Sequence, residues 1–243
     1  MILYQGDCLI QMMKIPDKSI DLILCDLPYG MTDCKWDTVI PFPELWEQYR
    51  RVIKDNGAMV LFSAQPFTTK LIHSNIKDFR YCWYWLKQQA TGFTYAKYQP
   101  MRRIEDICVF YRKAPTYNPQ GLIEIKNPKP RKHNANKGGE LWAVRSSAGE
   151  YTSRFKNYPK NVLEFGSERG LHPTQKPVAL LEYLIKTYTN EGDTVLDNCM
   201  GSGSTGVASK NTGRHFIGIE LSEHYFNIAK QRIETSGNNG FAT

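Results

Sequence analysis

Residues 194–206 have the sequence TVLDNCMGSGSTG, in which a short apolar run passes directly into a glycine-rich loop. The run predicts a buried strand ending at Asp197, and residues 204–211 predict the helix that follows the loop. Glycines at 201, 203 and 206 let the backbone turn tightly and approach a ligand, whose polar end can lie at the helix N-terminus. Glu220 ends the next predicted strand, where a carboxylate can bind ribose hydroxyls. This part of the chain predicts a site for a nucleotide-like cofactor.

The position of this loop in the chain restricts the topology. Only 23 residues follow Glu220, enough for one helix beginning at Ser222 but not for the remaining strands of a dinucleotide-binding fold. The preceding residues must supply the rest of the sheet. Apolar runs there predict strands at 19–25, 58–62, 81–86 and 107–111 and helices at 43–54, 65–74 and 177–188. We expect an α/β fold, a doubly wound and mostly parallel sheet in permuted order, which disfavours an ordinary nicotinamide dehydrogenase.

A second signal, Asp26-Leu27-Pro28-Tyr29-Gly30, follows the buried strand at 19–25. Ligands of open α/β sheets bind beyond the carboxyl ends of the strands, so this segment and the glycine-rich loop should line one crevice. An ionised Asp26 can accept hydrogen bonds from an amino group, Pro28 restricts Leu27 to an extended conformation, and Tyr29 offers a flat face for stacking. The alternative is a plain surface turn after a strand.

Positive charge is concentrated in the middle of the chain. The net charge is +7, and residues 97–176 carry 16 Lys and Arg against 7 Asp and Glu. Within this region, residues 113–170 are rich in Pro, Asn, Gly and Lys and have little periodicity, although aromatic residues are interleaved with the bases. An insertion of this kind is typically functional, and a polyanion would explain its charge; a merely soluble basic surface is the alternative.

Composition sets the broad class. Hydrophobic residues make up 41% and charged residues 23%, and no apolar run is long enough to cross a membrane or to form a signal-peptide core. The six cysteines, at 8, 25, 34, 82, 108 and 199, form no Cys-x-x-Cys pair, so no metal site is predicted. We therefore expect a soluble, cytoplasmic protein with reduced thiols and no membrane partner.

Two further segments extend the two signals into a family resemblance. Asp26-Leu27-Pro28-Tyr29 resembles the Asp-Pro-Pro-Tyr tetrad of DNA amino-methyltransferases, and residues 197–206 resemble their Asp-Pro-Phe-x-Gly-Ser-Gly-Thr-Thr cofactor loop. His172-Pro173-Thr174-Gln175-Lys176-Pro177 is similar to a segment near the methionine end of their cofactor, and Gly6-Asp7-Cys8 to one that contacts its adenine. The order of tetrad, recognition insert and cofactor loop is that of the β group.

The resemblance implies a fold, a cofactor and a set of site residues. The fold would be the circularly permuted, seven-stranded sheet of S-adenosylmethionine-dependent methyltransferases, with a catalytic half at 1–112, an inserted basic target-recognition region at 113–170 and a cofactor-binding half at 171–243. The catalytic residues would be Asp26, Leu27, Pro28 and Tyr29. Those expected to bind S-adenosylmethionine are Asp7, Cys8, Asp26, Lys176, Asp197, Gly201, Gly203, Ser204, Thr205 and Glu220. No metal is implied.

Within that set, individual roles follow from the family pattern. Glu220 is assigned to the ribose hydroxyls, Asp7 to the adenine amino group and Lys176 to the neighbourhood of the methionine carboxylate, whereas Asp197 could instead order the loop. The candidates for contacts with nucleic acid are basic residues of the middle region: Arg102, Arg103, Lys126, Lys129, Arg131, Lys132, Lys137 and Arg145.

Two departures from the family pattern affect these expectations. Leu27 stands where the first proline of the tetrad usually stands, so the carbonyl remains but is less rigidly directed. Asn198-Cys199-Met200 replaces Pro-Phe-x and changes the packing under the cofactor.

The expected activity is transfer of a methyl group to N6 of adenine in double-stranded DNA, with the base flipped out of the helix. The alternatives are N4 of cytosine, single-stranded nucleic acid or RNA as substrate, and a catalytically silent nucleic-acid-binding protein. Members acting on cytosine usually begin the tetrad with serine, so Asp26 favours adenine. The family contains dimers, so a homodimer is an open alternative, as is a partner restriction enzyme.

Overall fold

The computed structural model describes residues 1–30, 37–133, 149–168 and 175–236. The chain forms two compact units. One contains Met1–Asn118 and Asn161–Thr243, and the other contains Pro119–Lys160.

The first unit begins with alternating strands and helices. In chain order these are β1 (Ile2–Gln5), α1 (Cys8–Met12), β2 (Ile20–Asp26), α2 (Phe42–Val52), β3 (Ile53–Ser63), α3 (Phe67–Ser74), β4 (Phe79–Thr91) and β5 (Arg102–Phe110). The predicted strands and helices of this part are present. Strands β3, β4 and β5 are longer than their apolar runs, because polar residues continue the pairing at their ends.

In its described residues, 119–133 and 149–160, the second unit contains four short strands, β6 (Ile123–Glu124), β7 (Pro130–His133), β8 (Gly149–Thr152) and β9 (Phe155–Lys156). They pair as two antiparallel ribbons, β6 with β9 and β7 with β8. This unit, Pro119–Lys160, is shorter than the predicted insert at 113–170, where the sequence has little periodicity.

After this unit the chain returns to the first one. The elements there are β10 (Val162–Phe165), α4 (Val178–Tyr188), β11 (Thr194–Asp197), α5 (Ser204–Asn211), β12 (His215–Glu220) and α6 (Glu223–Thr235). Ser222 caps α6 by accepting a hydrogen bond from the Tyr225 backbone N–H.

The main sheet has the strand order β1-β12-β11-β2-β3-β5-β4-β10. Among the described strands of this sheet only β5 runs antiparallel to its neighbours, so the predicted mostly parallel α/β sheet in permuted order is confirmed. The sheet has eight strands where seven were predicted. The additional strand, β10, is four residues long and pairs with β4, and its proline- and asparagine-rich surroundings gave no strand signal.

Helices cover both faces of the sheet, which is why the central strands are apolar throughout. Leu22 and Leu24 of β2 pack with residues of α4, α5 and α6. Ile23 and Cys25 of the same strand point to the other face and pack with residues of α1, α2 and α3. Among the helices of the described ranges, none is long and apolar enough to cross a membrane.

Candidate active site

The carboxyl ends of β1, β12, β11 and β2 meet at one edge of the sheet, around a cleft of about 1130 Å³. Such a volume is at the upper end of the range typical of small-molecule sites. The cleft brings together the two signals of the sequence. Of the predicted catalytic and cofactor-binding residues it is lined by Asp7, Cys8, Asp26, Leu27, Pro28, Tyr29, Lys176, Asp197, Gly201, Ser204, Thr205 and Glu220.

Glu220 is held by backbone hydrogen bonds at the end of β12. One carboxylate oxygen accepts from the Gly201 N–H at 2.9 Å and the other from the Ser222 N–H at 2.8 Å. Burial raises the pKa of Glu220, while these backbone donors act to lower it. The carboxylate is therefore fixed in orientation and joins the glycine-rich loop to β12, and it remains an acceptor for hydroxyl groups.

Asp197 orders the loop that follows β11. Its Oδ1 accepts from the Cys199 N–H at 3.1 Å and its Oδ2 from the Thr205 hydroxyl at 2.6 Å, so the side chain links the strand to helix α5. Asp197 is buried, and burial raises its pKa to about 6. This geometry agrees with the alternative of a loop-ordering role.

Gly203 is turned towards helix α6 and does not line the cleft. Its φ of +78° favours glycine, and a Cβ there would lie 2.9 Å from the Cβ of Ala229. Close packing of the loop on α6 is the structural reason for glycine at this position.

Two other cofactor candidates are engaged in local structure. Asp7 Oδ1 accepts from the backbone N–H groups of Leu9 and Ile10 and caps α1. The Ser204 hydroxyl accepts from Arg232 Nη1 at 2.9 Å, and Arg232 also reaches the Ser202 carbonyl. Arg232 lies on α6 and was not predicted as part of the site, because nothing in its helical pattern separates it from a surface residue.

The tetrad, residues 26–29, follows β2. The Tyr29 hydroxyl donates to Asp26 Oδ1 at 2.6 Å, and the Tyr29 ring stacks on Phe67 with centroids 4.9 Å apart. Burial, followed by the charge of Asp26, raises the pKa of Tyr29 well above its usual value, so the hydroxyl stays a donor. The Leu27 side chain is buried in the core, which accounts for leucine where the family usually has proline.

Lys176 contacts the tetrad directly. Its ammonium group forms an ion pair with Asp26 Oδ2 and a second one with Glu105 Oε1 at 3.0 Å, and it lies over the Phe62 ring. Burial acts to lower the pKa of Lys176, but the two carboxylates outweigh this and raise it. The lysine therefore carries a positive charge between two acids, and its placement on Asp26 was not foreseen from the resemblance.

Glu105, on β5, completes this group. It is buried and also pairs with Lys87 at 2.5 Å, and the two lysines lower its pKa against the effect of burial. We call Asp26, Lys176, Glu105 and Lys87 the charged cluster. A buried acid within an apolar strand was the available signal for Glu105, but its partners come from distant parts of the chain.

The basic candidates fall into both compact units. Arg102 and Arg103 are exposed at the start of β5 in the first unit, and Arg102 lines the cleft. Lys126, Lys129, Arg131 and Lys132 are exposed in the second unit. Lys137 and Arg145, like His172, lie outside the described residues. Among the described residues, no group of three or more His, Cys, Asp and Glu side chains could hold a metal ion.

Comparison with known proteins bears directly on this cleft. A sequence profile of a family described as DNA methylase, of the N6/N4 type, matches residues 20–231. The chain belongs to this family. The match includes the tetrad, the charged cluster, the glycine-rich loop and Glu220.

Two proteins with similar sequences are also named as methyltransferases. Type II methyltransferase M.HpaI of Haemophilus parainfluenzae is 32% identical over 93% of this chain and 71% of its own length. DNA adenine methyltransferase YhdJ of Escherichia coli K12 is 29% identical over 95% of this chain and 82% of its own.

Solved structures agree on the fold. The complex of M1.HpyAVI with S-adenosylmethionine has 25% identity and a TM-score of 0.65 over 96% of this chain and 98% of that one. The cytosine-N4-specific PvuII methyltransferase has 16% identity and a TM-score of 0.71 over 99% and 87%, which shows a common fold. The chain is a β-group, S-adenosylmethionine-dependent DNA methyltransferase.

The residues of the cleft fit this cofactor. Glu220 is a fixed carboxylate that can accept hydrogen bonds from hydroxyl groups, and Asp7 lines the same cleft with a second carboxylate. The glycine-rich loop leaves the backbone of Gly201 at the cleft surface.

Proposed function

We propose that this methyltransferase acts on N6 of adenine in double-stranded DNA, at a base turned out of the helix. The observation that carries the proposal is the double anchoring of Asp26, whose two oxygens contact the Tyr29 hydroxyl and the Lys176 ammonium. Both neighbours are donors, so the Asp26 side chain is held in place as a hydrogen-bond acceptor lining the cleft.

An acceptor is what an exocyclic amine requires. The nitrogen of such an amine is a poor nucleophile, because its lone pair is delocalised into the base. Asp26 can accept one of its hydrogens and the Leu27 carbonyl, fixed in direction by Pro28, can accept the other. Two such hydrogen bonds favour a tetrahedral nitrogen with a localised lone pair.

The remaining residues position the reactants. S-adenosylmethionine, when bound, supplies a methyl group on a positively charged sulfur. Glu220 and Asp7 hold the ribose and adenine ends, while Asp197 and Thr205 keep the loop in shape. Tyr29, fixed between Asp26 and Phe67, offers its ring to the flipped base. We assign Lys176 to Asp26 and not to the methionine carboxylate.

The choice of adenine rests on Asp26 itself, since family members that act on cytosine usually have serine at this position. The E. coli relative is named a DNA adenine methyltransferase, which supports the same assignment. We further propose the basic unit Pro119–Lys160 as the recognition region, with its exposed lysines and arginines contacting phosphates or bases.

Nucleoside analysis tests the proposal. Unmethylated DNA is incubated with the protein and S-adenosylmethionine, digested, and examined by mass spectrometry. We expect N6-methyladenine with the wild type, and a rate lower by about 10²–10³-fold or more with Asp26→Asn. Asp17→Asn is the matched control, because Asp17 is an exposed acid paired with Arg51.

The other outcomes are equally informative. N4-methylcytosine would overturn the assignment of the base and leave the acceptor role of Asp26 intact. Undiminished methylation by Asp26→Asn would overturn the mechanism. Methylation of RNA but not of DNA would overturn the substrate.

A further inference from the structure

Strands β4 and β5 extend past the edge of the sheet on which the active site lies. The pairing of β3 with β5 ends at Ser63 and Asp106, whereas β4 and β5 continue to pair as far as Thr91 and Arg102. On β5 four residues separate Asp106 from Arg102, because β4 is irregular between Leu86 and Thr91, so at about 3.3 Å per residue the paired hairpin projects roughly 13 Å further. Because β4 runs parallel to β2, it projects on the side of Asp26.

The hairpin remains ordered to its tip, which we define as residues 92–101. Gly92 has a φ of +92°, and a short 3₁₀ turn, Phe93–Tyr95, follows it. Backbone hydrogen bonds of 2.9–3.0 Å join Tyr95 to Gly92 and Tyr98 to Tyr95. The tip is therefore a built structure that presents its side chains in defined places.

Those side chains are large, aromatic and exposed. Phe93 is 81% exposed and Tyr98 is 87% exposed, and Tyr95 between them is also exposed. Isolated exposed aromatics are ordinary, but several on one projecting tip mark an interaction surface. The stem of the same hairpin lines the active-site cleft through Thr91, Arg102 and Ile104.

The charge of the hairpin indicates which class of partner would bind its tip. Residues 88–104 contain Lys97, Arg102 and Arg103 and no Asp or Glu. Aromatic rings together with unopposed positive charge suit a nucleic acid, since rings stack on bases of any sequence while the cations contact phosphates.

We propose that Phe93 and Tyr98 stack on the bases beside the target and stabilise the duplex while the target base is turned out. Turning a base out breaks its stacking and pairing, and an inserted or capping ring replaces part of the lost stacking. This inference rests on the proposed function and adds to it a residue-level device for opening the duplex, separate from the residues that carry out methyl transfer.

The test compares DNA substrates that differ in the free energy needed to turn the target base out. After the site has been mapped on plasmid DNA, kcat/KM is measured on a duplex oligonucleotide, on the same duplex with an abasic site opposite the target, and on the single strand. Phe93→Ala and Tyr98→Ala should lower kcat/KM about tenfold or more on the paired duplex. The abasic duplex and the single strand should restore nearly wild-type values.

A matched control lies at the other end of the same strand. Ile76 is 64% exposed and precedes β4 at the opposite edge of the sheet, so Ile76→Ala should leave all three substrates unaffected. Fluorescence of 2-aminopurine at the target position provides a second readout, and its increase on binding should be smaller with the tip variants.

Several results would overturn the inference. Equal losses on all three substrates, or no loss on the paired duplex, would remove the tip from duplex opening. If the tip variants lose kcat/KM equally on all three substrates and also differ from the wild type in molecular mass in solution, the tip would be assigned to contact between copies of the chain. A wild type that methylates none of the three DNAs would overturn the proposed function and this inference with it, whereas an active wild type with unaffected variants would overturn this inference alone.

Discussion

The glycine-rich loop after β11 and the tetrad after β2 leave neighbouring strands of one sheet, yet they are held in place differently. The loop is fastened locally, with Glu220 bound to the N–H groups of Gly201 and Ser222 and Asp197 bound to Thr205. The tetrad is held in place by charged side chains, since Asp26 forms an ion pair with Lys176, which is 150 residues away in the sequence. The proposed cofactor site is thus held by local hydrogen bonds, while the proposed transfer site depends on a buried charge balance.

The largest effect should come from breaking that balance. Lys176→Met leaves Asp26 and the buried Glu105 without their shared cation, and removing one partner of a buried ion pair costs about 3–5 kcal/mol of unfolding free energy. Urea denaturation measures this loss. Methyl transfer should fall as well, because Asp26 loses one of its two anchors.

The double variant Lys176→Met/Glu105→Gln separates stability from positioning. It should recover part of the stability, because the buried acid at 105, which keeps only Lys87 as a cation in Lys176→Met, is replaced by a neutral amide. Its kcat should stay low while its Kd for S-adenosylmethionine is unchanged. A raised Kd with a normal kcat would instead place Lys176 on the methionine carboxylate.

A smaller effect is expected at the glycine-rich loop. Gly203→Ala combines a left-handed φ of +78° with a Cβ contact of 2.9 Å to Ala229. Gly192 has a similar φ of +82° and open space around it, so Gly192→Ala isolates the backbone strain of about 1–2 kcal/mol. Gly203→Ala should lower the free energy of unfolding by about 1–3 kcal/mol more than Gly192→Ala does, as measured by denaturation. It should also weaken cofactor binding, as measured by calorimetry. Equal costs for the two variants would mean that α6 yields to the added methyl group.

The smallest effect is a pH dependence of the loop. The pKa of Asp197 is raised to about 6 in the folded chain, so the folded state holds a proton that the unfolded state releases near pH 4. The unfolding free energy should therefore fall as pH rises from about 4 to 6, by on the order of 2–3 kcal/mol. Asp197→Asn should flatten this part of the profile, and Asp17→Asn, at an exposed acid paired with Arg51, should not. An unchanged slope in Asp197→Asn would show that Asp197 is ionised throughout.

The contrast between the two sites also explains what could be predicted from the sequence. Strand patterns before Asp26, Asp197 and Glu220 placed these residues at the carboxyl ends of strands, and a parallel sheet brings such ends together. The glycines marked the loop because their spacing is local. Prediction succeeded where the signal was contained in a few consecutive residues.

Contacts between distant segments carried no such signal. Lys176 belongs to the segment 172–177, and nothing in its neighbours in the sequence indicates that Asp26 and Glu105 enclose it. Strand β10 was missed because its proline- and asparagine-rich surroundings gave no strand signal, and it forms by pairing with β4. The projecting hairpin depends on the unequal lengths of β3, β4 and β5, which only the pairing register reveals.

The central claim is that cofactor binding and methyl transfer depend on different residues. The Kd of S-adenosylmethionine tests it most directly, measured by calorimetry on the wild type, Asp26→Asn and Glu220→Gln. Asp26→Asn should bind the cofactor like the wild type while failing to transfer the methyl group. Glu220→Gln should bind about tenfold or more weakly, because a charged acceptor for the ribose is lost. Weakening of the affinity by Asp26→Asn as large as that by Glu220→Gln would contradict the account.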